Sequence, residues 1–236
     1  VVAPVKVVLE EVVLERGAFR LSASGSFAEG VHLVTGPVGS GKSTLALGLA
    51  GAIRPASGRI VKDGVGSTAL TLPFAGYQVT GGTLEAEAAA WGVRPGTALE
   101  SAGLSGRGAD DPLRCSTGEL KRLVLSCVLA REWDLLILDE PYGSLDRPWK
   151  AELSRLLGGR GKGITILLTH EDEHLPRVDE IWEIRAGRLV SLGKVPAAIP
   201  LWSGAPGYLR AALENGAVPA NISPEDARDA ACRTHG

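Results

Sequence analysis

Cysteine is scarce in this chain, with three residues among 236, Cys115, Cys127 and Cys232, and no CxxC pair. Such usage predicts neither a disulfide framework nor a metal cluster, and it is typical of a reducing cytosol. Long apolar runs are also missing, because none approaches the ~18 residues that cross a bilayer, and no signal peptide is recognisable. We therefore expect a cytosolic chain with no direct membrane insertion.

Excess charge of either sign is absent as well. Lysine and arginine total 25 and aspartate and glutamate total 27, which gives a formal net charge of −2. Because there is no basic footprint, nucleic acid is not an expected partner. The length of 236 residues is enough for one α/β core and a small subdomain.

Glycine, by contrast, is abundant, and residues 36–44 read GPVGSGKST. This segment fits the pattern G-x-x-x-x-G-K-[ST], between a strand predicted at residues 31–34 and a helix predicted at residues 43–52. Lys42 reaches the β- and γ-phosphates and the Ser43 hydroxyl binds Mg²⁺ in such a loop. The sequence therefore predicts a nucleoside triphosphate site formed by Gly36, Pro37, Val38, Gly39, Ser40, Gly41, Lys42, Ser43 and Thr44. The alternative is a glycine-rich turn before a helix.

An apolar segment at residues 135–138 ends in two acids, Asp139 and Glu140. A carboxylate at the C-terminal end of a strand can hold Mg²⁺ beside a phosphate loop, which assigns Asp139 to the metal. Glu140 is then free to polarise a water for in-line attack on the γ-phosphate. The alternative is an acid pair that merely ends a strand and opens a turn.

Two further polar residues, Gln78 and His170, are interpreted as ending predicted strands. Ligands of open parallel sheets lie at the carboxyl ends of the strands. We therefore expect Gln78, Asp139, Glu140 and His170 to face one phosphate site. Taken singly, a glutamine or a histidine is more often an ordinary loop residue.

A helix start is predicted at Ser116, three residues before Glu119, because this spacing is a capping box ahead of a helical run at residues 120–130. Such a helix N-terminus, with Gly118 in its first turn, is a second phosphate-binding element. One γ-phosphate does not need two such elements from one subunit. A head-to-tail dimer, in which each subunit closes the other's phosphate loop, uses both.

In this order, the motifs resemble those of ATP-binding cassette (ABC) ATPases, the nucleotide-binding subunits of ABC transporters, over about residues 5–195. The resemblance implies ATP hydrolysis with ATP and Mg²⁺. It assigns Walker A to residues 36–44, Walker B to Asp139 and Glu140, and the signature to Ser116, Gly118 and Glu119. It also assigns the D-loop to Asp146 and the catalytic switch histidine to His170. By the same resemblance, Gln78 is the Q-loop glutamine, with a catalytic and a metal-binding role. The family usually spells its signature LSGGQ, whereas Cys115, Thr117 and Glu119 here replace the leucine, the first glycine and the glutamine.

The family commonly stacks an aromatic residue on adenine near the N-terminus, where this chain has no tyrosine. Arg16 and Phe19 each offer a flat face to a base. The sequence leaves open which of them serves, or whether Phe19 is a core residue.

The expected fold is α/β, a P-loop NTPase core with a parallel sheet, an N-terminal antiparallel β subdomain and a small helical subdomain. The domain boundaries are residues 1–78 and 128–196 for the core, 79–127 for the helical subdomain and 197–236 for a short helical tail. Within these domains we predict short strands at residues 7–9, 12–14 and 19–23, a hairpin over residues 57–64, and helices at residues 84–91 and 97–102.

Residues 83–92, TLEAEAAAWG, resemble the acidic helix of energy-coupling factor (ECF) and cobalt- or nickel-type importer ATPases. Otherwise Trp91 packs the subdomain and the acids form a solvated face. The resemblance implies import of a vitamin or a transition-metal ion, with transmembrane subunits and a second ABC ATPase, identical or not, as partners at the inner face of the cell membrane. The alternatives are another ABC importer class or a soluble ABC ATPase acting as a mechanical switch. A kinase would leave the Ser116 helix unexplained.

Overall fold

The computed structural model describes residues 4–234, so the ends of the predicted domains at residues 1–3 and 235–236 lie outside the described residues. Within that range, nine strands form one mixed sheet in the order β4-β1-β2-β9-β8-β3-β7-β6-β5. The strands are β1 (Lys6–Arg16), β2 (Phe19–Ala28), β3 (Gly30–Thr35), β4 (Ser57–Asp63), β5 (Thr68–Thr71), β6 (Leu135–Asp139), β7 (Ile164–Leu168), β8 (Glu180–Arg185) and β9 (Arg188–Lys194). The helices are α1 (Lys42–Ala50), α2 (Leu84–Ala90), α3 (Pro95–Ser101), α4 (Thr117–Leu129), α5 (Arg147–Gly158), α6 (Gly207–Glu214) and α7 (Pro224–Thr234).

The central strands β3, β7 and β6 are parallel neighbours and are buried on both faces, which explains their continuous apolar sequences. Successive side chains enter opposite cores: Leu33 and Leu167 pack on the face covered by α4, α5 and α6, whereas Val34 and Leu168 pack on the face covered by α1. The predicted α/β class with a parallel core sheet is confirmed.

Three loops leave this sheet at one level. Val34 on β3 and Asp139 on β6 both pair with Leu168 on β7, so the three strands end side by side. The phosphate-loop segment follows β3, the two acids lie at the end of β6, and His170 follows β7. This edge is where the site is built.

The N-terminal strands extend the same sheet in antiparallel fashion, as predicted, but with different limits. The segments predicted as strands at residues 7–9 and 12–14 belong to one strand, β1, whose pairing with β2 is interrupted by a bulge around Glu11. The backbone φ of Glu11 is 49°, in the left-handed region. The polar break in the sequence marks this bulge and does not end the strand.

The hairpin predicted over residues 57–64 is wrong. This segment contains the single edge strand β4, which runs antiparallel to β1. Gly58, with φ 73°, lies against the carbonyl oxygens of Glu10 and Glu11, where a Cβ would clash. The glycine therefore accommodates the bulge of β1 and does not form a turn.

The helices α2, α3 and α4 share a small core of their own, as expected for the predicted helical subdomain. It contains Leu84, Ala88, Ala98, Leu99, Ala102, Leu104, Leu123 and Cys127. Helix α4 continues through the predicted domain boundary at 127/128. Its residue Val128 already packs in the main core. Helices α6 and α7 of the tail also pack there, through Leu209 and Ala227. In the part of the chain described, no helix combines the length and apolar character needed to cross a membrane.

Candidate nucleotide-binding site

A groove of about 330 Å³ opens at the common edge of β3, β6 and β7. It is lined by Arg16, Phe19, Val38, Gly39, Gly41, Lys42, Ser43, Thr44, Glu140 and His170. Two glycines shape its loop: φ is 153° at Gly36 and 105° at Gly41. A Cβ would lie 2.8 Å from the Ser40 hydroxyl oxygen at the first position and 2.5 Å from the Phe19 ring at the second. Only glycine fits this backbone.

Helix α1 presents its N-terminus to this groove. It begins at Lys42 after Gly41, with no side-chain cap and no acidic residue in its first turn. The first N–H groups of a helix have no intrahelical acceptor, and the helix dipole adds positive potential at that end. The loop and α1 therefore have the donors and the potential that bind phosphate.

The Lys42 side chain folds back against the phosphate loop, and the residue is only 6% exposed. Its Nζ donates to the carbonyl oxygens of Gly36 at 2.8 Å and Pro37 at 3.3 Å, and it lies 3.4 Å from Glu140 Oε1. The ammonium group is thus fixed between the phosphate loop and the second acid, where it attracts phosphate oxygens.

Glu140 is oriented by the residues that follow β7. The Thr169 hydroxyl donates to its Oε2 at 3.1 Å and the His170 backbone N–H does so at 3.3 Å, while His170 Nδ1 lies 2.8 Å from Oε1. The φ of Glu140 is 47°, a conformation that is sparsely populated for residues other than glycine and that concentrates at functional sites. Glu140 and His170 therefore form one unit beside Lys42.

Asp139 is fully buried, and neither carboxylate oxygen has a hydrogen-bond partner in the described chain. Burial raises the pKa of Asp139, and the nearby Ser43 hydroxyl opposes this shift. A buried carboxylate without donors is unfavourable unless a cation compensates it. Asp139 and Ser43 therefore fit a bound divalent cation, as the sequence predicts.

Gln78 is not part of the groove in this structure. Its predicted place at a strand end is wrong, because β5 ends at Thr71 and Gln78 follows a one-turn 3₁₀ helix, Ala75–Tyr77. The Gln78 Nε2 donates to the Leu70 carbonyl and its Oε1 accepts from the Leu72 N–H, both at 2.6 Å. To reach a metal, the amide must leave these two bonds, and its catalytic and metal-binding roles stay predictions.

The predicted capping box at the start of α4 is confirmed. The Ser116 hydroxyl oxygen accepts from the Glu119 N–H at 3.2 Å, and Glu119 Oε2 accepts from the Ser116 N–H at 2.8 Å and from its hydroxyl at 2.9 Å. Gly118 is needed for close packing as well, since a Cβ there would lie 2.7 Å from the Ser144 carbonyl oxygen.

Besides Gln78, the predicted residues of the signature and the D-loop lie outside the groove of their own chain: Ser116, Gly118, Glu119 and Asp146. Asp146 caps α5 by accepting a hydrogen bond from the Trp149 N–H at 3.0 Å. Arg16 and Phe19, the two residues considered for stacking on adenine, both line the groove, so both remain compatible with that role.

Two charged residues beside these motifs escape prediction from the sequence. Lys121 of α4 is buried and donates to the carbonyl oxygens of Leu72 at 3.0 Å and Pro73 at 3.1 Å. Burial lowers the pKa of Lys121 to about 8, although Asp139 and Glu140 oppose the shift. Arg107, in the loop before α4, pairs with Glu119. Neither residue belongs to a motif, and the partners of Lys121 are distant in sequence.

The groove and the sheet around it define a P-loop nucleoside triphosphatase. A family model described as "ABC transporter" matches residues 24–143. The energy-coupling factor transporter ATP-binding protein EcfA1 of Thermotoga maritima is 37% identical over 181 residues, which cover 67% of this chain and 69% of that protein. The thiamine import ATP-binding protein ThiQ of Cereibacter sphaeroides is 32% identical over 192 residues, covering 72% and 83%.

A solved structure shares the fold. It is cbiO1 from Clostridium perfringens, described as part of the ABC transporter complex cbiONQ, with a TM-score of 0.61 and 22% sequence identity. The similarity covers 78% of this chain and 86% of that one. The chain therefore belongs to the ABC transporter family and is an ATP-binding subunit with ATPase activity.

Proposed function

We propose that this ABC ATPase hydrolyses Mg²⁺-bound ATP at sites shared with a second ATPase subunit and drives an importer of the energy-coupling factor type. The observation that carries the proposal is the separation of its two phosphate-binding elements. Lys42 and Glu140 share one groove, whereas the Ser116 helix start lies outside it. A head-to-tail pair of subunits places the helix start of one on the phosphate loop of the other.

Within one subunit, the side chains divide the chemistry. Lys42 and the N–H groups of α1 bind the phosphates. Ser43 and Asp139 would hold Mg²⁺, which when bound would neutralise charge on the phosphate oxygens. Glu140 accepts a proton or hydrogen bond from the attacking water. Contacts with His170 and Thr169 hold the Glu140 carboxylate in position. The water is oriented in line before hydrolysis.

The second subunit contributes the rest of the site. Its Ser116 hydroxyl and Gly118 N–H face the γ-phosphate, with Glu119 behind them and Asp146 beside the shared boundary. Gln78 enters the metal site only after releasing the Leu70 and Leu72 backbone groups that hold it. Binding of the second subunit thus completes a site that a single chain leaves open.

A second groove, apolar and of about 350 Å³, supports the proposal that the chain binds a membrane partner. Three large side chains along it are exposed: Phe74 by 65%, Tyr77 by 81% and Leu113 by 77%. A grouping of exposed apolar residues indicates a protein interface. Because the groove lies between the segment leading to Gln78 and the start of α4, we assign it to a transmembrane subunit, whose movement would reach both elements.

The ECF class and a vitamin or transition-metal substrate rest on the similarity to EcfA1 and on residues 83–92. In that segment Glu87 is not solvated, since its carboxylate accepts from the N–H groups of Thr80 and Gly81 at 2.8 Å and from Trp91 Nε1 at 3.0 Å. Glu87 thus fixes the chain that follows Gln78. The similarity to ThiQ supports the alternative, another importer class.

Purification from membranes tests the proposal. Glu140→Gln slows hydrolysis by about 10²- to 10⁴-fold while leaving ATP binding intact, so the ATP-bound assembly accumulates. We expect this variant, tagged and extracted in detergent with ATP, to carry a second ABC ATPase and a multi-spanning membrane protein. Tyr77→Asp combined with Leu113→Asp should remove the membrane protein alone. Recovery of an ATP-bound dimer without any membrane protein would support the soluble switch instead.

Uptake measurements test the importer class. Cells that make the Lys42→Ala chain in place of the parent should lose accumulation of one labelled vitamin or transition-metal ion. Loss restricted to a substrate of another kind, with both of these uptakes retained, would replace the ECF class by another importer class.

A further inference from the structure

The start of α4 carries a carboxylate at a place where the proposed function brings a phosphate. Glu119 Oε2 accepts hydrogen bonds from the Ser116 N–H and hydroxyl, and its Oε1 pairs with Arg107. These donors hold the pKa of Glu119 at about 2, so it is ionised at neutral pH. The Glu119 carboxylate is hydrogen-bonded to the Ser116 hydroxyl, which we propose contacts the γ-phosphate. The negative charges of Glu119 and of the phosphate would repel each other.

Arg107 is placed to offset that charge. Its loop is held by its own backbone, because the Arg107 N–H donates to the Leu104 carbonyl at 3.1 Å and the Asp110 N–H donates to the Arg107 carbonyl at 2.9 Å. The guanidinium reaches Glu119 through Nη1, Asp110 Oδ2 at 2.7 Å through Nε, and the Cys115 sulfur at 3.7 Å through Nη2. One guanidinium therefore pairs with two carboxylates beside the start of the signature, Asp110 and Glu119, and offsets part of their charge.

We infer that Arg107 is a positioning residue of the signature, which offsets the charge of Glu119 so that the start of α4 can receive the terminal phosphate of ATP bound by the second subunit. The inference rests on the proposed function. The Glu119–Arg107 pair reduces the negative charge that an unpaired Glu119 would place at the helix start.

A purely structural role makes a different prediction. If Arg107 only ties its loop to α4, its removal should weaken assembly equally whether residue 119 is charged or not. If it offsets the charge of Glu119, its removal should weaken assembly more while Glu119 is present than when residue 119 is uncharged, the remainder coming from Asp110. Glu119→Gln separates the two roles, because glutamine at this position also completes a capping box and so keeps the helix start.

The experiment is a double-mutant cycle in the Glu140→Gln chain with its second subunit, measuring the ATP concentration for half-maximal assembly by sedimentation. Arg107→Ala should raise that concentration by about tenfold or more. Glu119→Gln should lower it, and the double variant should return to within about threefold of the parent. The matched control is Arg155→Ala, which removes an exposed guanidinium paired with Glu152; it should change the value less than about twofold.

ATP binding to the unassembled chain is the second readout. Arg107→Ala should leave it unchanged, because the Lys42 groove is untouched, and an equal loss there would overturn the inference. Equal effects of Arg107→Ala in both backgrounds would also overturn it, while leaving the proposed function in place. Failure of the parent Glu140→Gln chain to assemble at any ATP concentration would overturn the proposed function and the inference together.

Discussion

At the residue scale, Asp139 and Lys121 are both buried, and burial displaces their pKa values in opposite directions, upward for the carboxyl and downward to about 8 for the ammonium. Each charged form is therefore less favourable in this chain than in water. Lys121 donates to two backbone carbonyls, whereas neither Asp139 oxygen has a geometric hydrogen-bond partner in the described residues. The nearby Ser43 hydroxyl and the ammonium groups of Lys42 and Lys121 do not offset the cost of burying Asp139. The unsatisfied carboxylate is a cost to stability that a bound cation removes.

Asp139→Asn should therefore stabilise the nucleotide-free chain while stopping its function. We expect the melting temperature to rise by about 2–4 °C, because the raised pKa of Asp139 shows that the cost of burying its charge exceeds the attraction of Lys42 and Lys121. We expect ATP turnover to fall by about 100-fold or more, because the Mg²⁺ ligand is lost. Calorimetry without nucleotide and a phosphate-release assay measure the two effects. A lower melting temperature would show that the carboxylate is satisfied in solution.

Asp134→Asn is the matched control, and its effect should have the opposite sign. The Asp134 carboxylate accepts hydrogen bonds from the Gly66 N–H at 3.0 Å, the Ser67 N–H at 2.7 Å and the Ser67 hydroxyl at 2.9 Å, which lower its pKa. Its stabilisation is complete above the ordinary pKa of about 3.9 and is lost as pH falls through the lowered value. The melting-temperature deficit of the variant should be constant from pH 7 to 5 and shrink towards pH 3. A deficit that grows on acidification would contradict this.

At the element scale, the segment between β5 and α2 is held from two sides. Gln78 binds the Leu70 carbonyl and the Leu72 N–H, while Lys121 of α4 binds the Leu72 carbonyl. Ala75 of the same segment packs with Leu120 of α4. The start of α4 and the residue expected to reach Mg²⁺ are therefore connected through one short stretch of backbone.

Gln78→Ala should release this segment. The Leu72 amide loses its acceptor, so we expect its hydrogen exchange to accelerate by about tenfold or more, while amides of β6 keep their protection. Turnover should fall with ATP affinity unchanged, since Lys42 is untouched. Residue-resolved exchange makes the measurement, and unchanged protection at Leu72 would mean that the amide of Gln78 is not held in this way in solution.

Sequence reasoning succeeded where the pattern is local. The strand before Gly36, the helix after it and the Ser116–Glu119 capping box each depend on neighbours within a few residues, and all three are present. It failed at β4 because Gly58 serves a bulge in a distant strand. The Lys121 and Arg107 contacts, as well as the position of Gln78, were also out of reach, since tertiary packing decides them.

At the scale of the whole molecule, the fold aligns three strand ends and thereby assembles Lys42, Asp139, Glu140 and His170 on one edge. The capped helix α4 extends from a separate small core and remains outside that groove. We infer that this arrangement is half of a shared site, completed only when the Ser116 helix of a second subunit closes over bound ATP.

The most direct test is ATP turnover of Ser116→Arg in the assembled protein, compared with ATP binding by the same variant alone. We expect binding within about twofold of the parent, because the Lys42 groove is unchanged. We expect turnover reduced by about 100-fold or more, because bulk and lost donors at the helix start prevent closure. Turnover equal to that of the parent would contradict the shared site and would indicate a P-loop enzyme that acts as a single chain.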